Sequence, residues 1–294
     1  MKRTRGERIY SVFNTVLLTF IALVCIFPLV NVVALSFSDA RLVAGRPITL
    51  WPVGLTLESY KHIVQKLEFF VAFWVSVKRV VIGLPINMTI IILIAYPLSK
   101  NNKVFPGRTI LTWVFMISML FSGGLIPTFM TVRMTGIMNT IWALILPGTV
   151  PAYLIVLMLN FFRSIPVEME EAAMIDGASH WRVLAQIYLP VSKPGIAAVS
   201  LLGGIGHWNA WFDGLIYMNV VKNYPLQTYL QTTMINQEML AGIRDPEALR
   251  ALLSMNTRTL ESAQILIAMV PVMIVYPFIQ RFFVTGIVIG SVKG

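Results

Sequence analysis

The chain has 294 residues, of which 57% are hydrophobic and only 12% charged, with a mean hydropathy of +0.76. An ordinary soluble domain carries about 25% charged residues, so this composition excludes disorder, a coiled coil and most soluble enzymes. The 23 Lys and Arg against 13 Asp and Glu leave +10, a balance that on a soluble protein points to nucleic acid; the single cysteine, Cys25, excludes a disulfide framework and a cysteine-based zinc site.

Six stretches of 18 or more residues contain no Asp, Glu, Lys or Arg: 9–38, 80–99, 109–132, 134–162, 194–212 and 262–280. A helix needs about 20 mostly apolar residues to cross a hydrocarbon core of roughly 30 Å. Unsatisfied backbone groups in lipid force such stretches into helices, and none alternates as barrel strands do. The expectation is an all-α polytopic membrane protein with six transmembrane helices, forming one domain over 1–294. An even number of spans puts both termini on one side. That side carries twelve basic and five acidic residues and the other nine and eight, with Lys78 and Arg79 at the mouth of the second span. The bias places both termini in the cytoplasm, so most of the charge is an insertion signal and not a nucleic-acid footprint.

In chain order, the basic tail Lys2–Arg8 precedes an uncharged run of 30 residues. That run is too long for the apolar region of a signal peptide, about 7–15 residues, and reads as an uncleaved first helix. An outer loop over about 36–70 contains Pro47, Trp51-Pro52 and the amphipathic stretch around Glu58 to Val64. Pro85 and Pro97 interrupt the second span, Gly123-Gly124 and Pro127 the third, and Pro147 and Pro151 the fourth. Breaks of this kind serve packing, or irregular backbone lining a cavity. A second outer loop over about 220–260 holds Tyr224 to Gln227 and Arg244-Asp245-Pro246-Glu247.

The inner loop 163–193 holds four of the five inner acidic residues, Glu168, Glu170, Glu171 and Asp176. Ser164 or a neighbour is a candidate cap, Pro166 suits a first turn, and the glutamates favour the positive end of the helix dipole. Gly177 stops that helix, a second one starts after Ala178, and Leu189-Pro190 breaks it.

The run Glu171-Ala172-Ala173, then Gly177, then Ile187-Tyr188-Leu189-Pro190 resembles the EAA motif of permease subunits in binding-protein-dependent ABC importers. Further stretches (123–128, 136–148, 208–213 and 224–227) are similar to the carbohydrate-uptake branch. Within it they resemble the second permease of maltose-type transporters and oligosaccharide permeases, including those for acidic polysaccharides such as alginate. The resemblance implies a multi-pass permease of the bacterial cytoplasmic membrane that binds no cofactor, with ATP and Mg held by partner subunits. It implies a second permease, two ATPase subunits, an extracytoplasmic solute-binding protein and an oligosaccharide substrate moved by alternating access. It also assigns Glu170, Glu171, Ala172, Ala173, Asp176, Gly177, Ile187, Leu189 and Pro190 to coupling with the ATPase.

For a substrate path, the cluster His207-Trp208-Asn209-Ala210-Trp211-Phe212-Asp213 combines aromatic faces with hydrogen-bonding groups. Trp208 and Trp211, three apart, would share a helix face beside Phe212; an interfacial aromatic belt is the competing reading. His207 alone reads as a packing residue. Tyr153, Asn139 and Arg133 are further lining candidates, while Trp51, Tyr60 and Tyr224 to Gln227 would meet the binding protein. Lys78, Arg79 and Arg133 could favour an anionic sugar, or simply snorkel, as could Asp213. An enzyme is disfavoured: His62, His180 and His207 are scattered, and neither a phosphate-binding loop nor an intramembrane carboxylate pair occurs. An uncoupled channel or secondary carrier is the alternative, weakened by the lack of midplane ionisable groups.

Overall fold

The computed structural model describes residues 5–43, 50–241 and 257–291, and within them all regular structure is helical. Lys2 and Arg3, Pro47 and the run Arg244–Glu247 lie outside the described residues. The chain divides into two compact units, Met1–Leu67 with Thr232–Val270 and Glu68–Gln231 with Pro271–Gly294.

The first unit begins with α1 (Arg5–Ser36), whose segment Tyr10–Ser36 is long and apolar enough to cross a membrane. No part of its apolar window is buried within the chain. A surface of that size is not sustained in water and requires lipid or a neighbouring helix. The loop after it folds back on the helix end. Ser38 donates to Ala34 O at 2.6 Å and accepts from Val53 N at 3.0 Å. From α2 (Glu58–Gln65), the Tyr60 hydroxyl donates to Ser36 Oγ at 2.9 Å.

The second unit carries α3 (Leu67–Ser99), α4 (Arg108–Leu120), α5 (Leu125–Met134), α6 (Ile141–Gly148), α7 (Ala152–Arg163), α8 (Val167–Ile175), α9 (His180–Val191), α10 (Lys193–Asn209) and α11 (Phe212–Tyr217). After it, α12 (Leu226–Ala241) and α13 (Thr257–Ser291) run from one unit into the other. Three single helices and three bent pairs are apolar enough to span: α1, α3 and Arg258–Phe278, then α4 with α5, α6 with α7, and α9 with α10. The bends are 111°, 52° and 81°.

The breaks have local causes. Gly124 holds φ +86 between α4 and α5, a left-handed conformation closed to most side chains. Pro147 and Pro151 withdraw backbone donors between α6 and α7. The core fills the space these bends create: Ile91, Ala95 and Leu98 of α3 recur at helical spacing and meet Ile155, Met158, Leu159 and Phe162 of α7. α10 closes on α7 through Gly195, where an added Cβ would lie 2.4 Å from the Phe161 ring. Leu184–Tyr188 forms a π-helical turn inside α9.

Several expectations shift. The second span is not confined to 80–99: α3 starts at Leu67, so Lys78 and Arg79 lie well inside a continuous helix. Pro85 and Pro97 do not break that helix, whereas the third run is sharply broken at Gly123-Gly124, as its sequence leads one to expect. The fifth ends at Asn209, before the end of its uncharged run. Ser164 does not cap α8; its hydroxyl turns back to Phe161 O at 2.7 Å, and Pro166 holds the cap position.

Candidate functional site

Two buried charge clusters stand out in the second unit, and the first is built on the 163–193 loop. Three glutamates open α8 at its positive end. Helical spacing turns Glu170, Ala173 and Met174 inward and leaves Glu168, Glu171, Ala172 and Ile175 outside. Glu170 is 9% exposed and accepts from Lys100 Nζ at 2.8 Å and from the Tyr188 hydroxyl at 2.7 Å. The same ammonium lies 3.7 Å from the Tyr96 ring centre and 4.0 Å from that of Tyr188. Burial pushes the Lys100 amine below its ordinary value, and Glu170 pulls it back up. One carboxylate thus ties α8 to the end of α3 and to the π turn of α9.

Gly177 ends α8 with φ +81. Its N–H donates to Met174 O at 3.0 Å and that of Ala178 to Ala173 O at 2.9 Å, the double closure of a Schellman motif. No atom approaches within 4 Å of where a Gly177 Cβ would stand, so the backbone conformation alone requires glycine. Ile187 and Leu189 pack on the core, whereas Asp176 and Pro190 are exposed. The outer surface of this corner is apolar as well as acidic, with Ile175 86% and Trp181 70% exposed.

The second cluster lines a cleft of about 380 Å³ between α3, α6, α7, α10 and α11. Arg79, only 4% exposed, makes a bidentate pair with Asp213, and its Nη1 also donates to Ala210 O at 3.4 Å. Asn87 Nδ2 donates to Gly148 O at 3.2 Å. Three buried atoms around the cleft, Arg79 Nε, Asn87 Oδ1 and His207 Nε2, have no hydrogen-bond partner among the described residues. His207 is fitted against Gly83, where an added Cβ would fall 2.9 Å from the ring. Gly148, Gly203 and Gly206 also line the cleft and bring no side chain into it.

The proposed aromatic face does not form. α10 ends at Asn209, so Trp208 is buried edge-on against Phe73 at 5.7 Å while Trp211 pairs with Phe212 at 5.6 Å beyond the break. Asn209 is exposed. Asn139 joins loops: its side-chain oxygen accepts from Asn219 N, and its carbonyl from Asn223 Nδ2 at 3.0 Å. Tyr153, Arg133 and Lys78 are exposed outside the cleft. Arg79 and Asp213 do not snorkel; each neutralises the other. Leu226 is fully buried, its N–H held by Ser76 Oγ at 2.8 Å, so the 224–227 segment is packed in rather than offered outward; Trp51 is 82% exposed. Sequence reasoning missed both ion pairs. Their partners lie 70 and 134 positions apart, and the available signal was a lone opposite charge beside each apolar run.

Long apolar helices broken around a polar cleft, with a short acidic helix between two of them, define a polytopic membrane protein of the translocating kind. No family model matches the chain. It is 34% identical over 296 residues, 98% of this chain and 99% of the other, to the polygalacturonan/rhamnogalacturonan transport system permease protein YtcP of Bacillus subtilis (strain 168). It is 35% identical to Protein LplC of the same organism, over 100% of this chain and 98% of that one. The structure superposes on a chain of a bacterial ABC transporter involved in import of the acidic polysaccharide alginate. That match has TM-score 0.83 and 30% identity, over 96% of this chain and 99% of the other. The chain belongs to the permease proteins of carbohydrate ABC transport systems.

Proposed function

We propose that this permease imports an oligosaccharide, acidic in kind, by alternating access driven by two partner ATPase subunits, together with a second permease and an extracytoplasmic binding protein. The alginate importer supports the substrate class. The observation that carries the coupling is the α8 corner: rigid where Glu170, Lys100 and Tyr188 meet, bare where Glu171, Ala172 and Ile175 face outward. Small Ala172 admits a close partner surface and Glu171 can pair with a base on it. Gly177 holds the helix at its angle, and the loop then faces the cytoplasm with both termini. In the second unit, the Arg79–Asp213 cleft offers hydrogen-bonding groups suited to sugar hydroxyls. Because Asp213 cancels the charge of Arg79, an acidic sugar must find its cation elsewhere, and Lys78 and Arg133 remain exposed for that role.

The test is reconstitution with the three kinds of partner in vesicles, following uptake of neutral and uronate oligosaccharides together with ATP hydrolysis. Uptake that requires ATP and is lost in Glu171→Lys, with the assembly still inserted, is expected. Uptake independent of ATP, or normal in that variant, overturns the reading.

A further inference from the structure

A groove of about 480 Å³ runs between the start of α4 and the end of α7, separate from the cleft and touching the first cluster only through the Lys100 backbone. Its two walls are graded in the same direction. At one end stand Arg108, Arg163 and Asn160; one to two turns further along stand Met116, Val156 and Leu159. Seven or eight residues of helix separate the ends, about 10–12 Å. Trp113, 62% exposed, lies between them, where an amphipathic ring marks a membrane boundary.

The charged end is incomplete. Arg108 Nη1 donates to Lys100 O, and Arg163 Nη2 to Leu98 O at 3.3 Å, so both arginines cap the C-terminal end of α3. Each guanidinium has five donors, and these bonds use one apiece. Arg108 Nε is buried with no partner among the described residues, and neither arginine forms an ion pair with any carboxylate there. Two like charges side by side need an anion, and the apolar floor below them needs a hydrocarbon chain.

We propose that this groove binds an anionic phospholipid of the leaflet on the side of loop 163–193, its phosphate between Arg108 and Arg163 and an acyl chain over Trp113, Met116 and Val156. The gradient from two arginines to aliphatic side chains matches a lipid and fits neither a soluble anion nor a protein carboxylate. The inference does not depend on which sugar is carried. Bound there, the lipid would brace α4 against α7 close to the Lys100 junction.

The experiment places the whole transporter assembly in nanodiscs of equal phosphatidylglycerol and phosphatidylcholine and weighs retained lipid by native mass spectrometry. Wild type should retain phosphatidylglycerol preferentially. Arg163→Gln should reduce that preference about fivefold, the effect of one basic residue at an anionic surface. Asn160→Asp adds a carboxylate while sparing both α3 caps, so it should act similarly even if the arginine variant folds poorly. Equal retention of the two lipids by wild type, or an unchanged preference in Asn160→Asp, overturns the proposal. Complete displacement of the lipid by inorganic phosphate would reassign the groove to a soluble anion. Loss of the ATPase subunits from Asn160→Asp with lipid retention intact would reassign the arginines to a protein partner.

Discussion

The two buried ion pairs of the second unit are alike in chemistry and opposite in completion. At the α8 corner, Glu170 has two donors and Lys100 lies against two aromatic rings. In the cleft, Arg79 and Asp213 satisfy each other, yet an arginine nitrogen, an amide oxygen and an imidazole nitrogen nearby are left unpaired. An unpaired buried polar atom costs about 1–3 kcal/mol. At the corner the charges are fully met and only the Tyr96 hydroxyl lacks a partner among the described residues, whereas the cleft leaves three polar atoms open. That contrast suits a joint in the first place and, on the proposed function, a receiving site in the second.

The most damaging way to break this contrast is Glu170→Ala, which strands Lys100. A loss of about 3–5 kcal/mol is expected, read as a fall in thermal midpoint of the solubilised assembly. Replacing both partners, Lys100→Met with Glu170→Leu, should recover most of it; no recovery would mean the corner needs charge and not merely fill. Asp213→Asn is expected to cost less, about 2 kcal/mol, because that carboxylate keeps 25% of its surface exposed and solvent screens what remains. Next comes Gly177→Ala, at about 1 kcal/mol for forcing a Cβ into the left-handed region with no clash; a change above about 3 kcal/mol would show a contact unseen in the isolated chain. Asn87→Leu removes an orphaned oxygen along with one hydrogen bond. Its stability should move by less than about 1 kcal/mol while sugar uptake falls well beyond that, and equal losses would make the cleft structural. Smallest for the fold is Glu171→Ala, within about 0.5 kcal/mol because the side chain is exposed, though transport-linked ATP hydrolysis should drop.

How much the sequence disclosed depended on how local each cause was. The all-helical class was legible because uncharged runs permit nothing else in lipid. Gly177 was legible because a single residue sets that stop. The extent of α3 was not, since the charge of Arg79 becomes tolerable inside a helix only when Asp213, 134 positions on, is brought to it. Similarly, Glu170 reads as one of three surface acids until Lys100 and Tyr188 are known to converge on it. The shared Trp208–Trp211 face failed for the opposite reason: three-residue spacing aligns side chains only while the helix continues, and this one ends at Asn209.

The π turn at Leu184–Tyr188 accommodates one residue more than an α-helical turn would. That surplus residue is absorbed within the turn, so the helix on either side of it stays in phase. Deleting the exposed Ala185 would let the segment relax to an ordinary α pitch with its two ends nearly in phase. One further residue inserted in the α-helical turn His180–Val183 would instead rotate the start of α9 by about 100° relative to its end. Tyr188 and the α8 corner would then lose their alignment, although every residue that makes the contact remained in the chain. The helix therefore tolerates losing a residue at its π turn and not gaining one beside it.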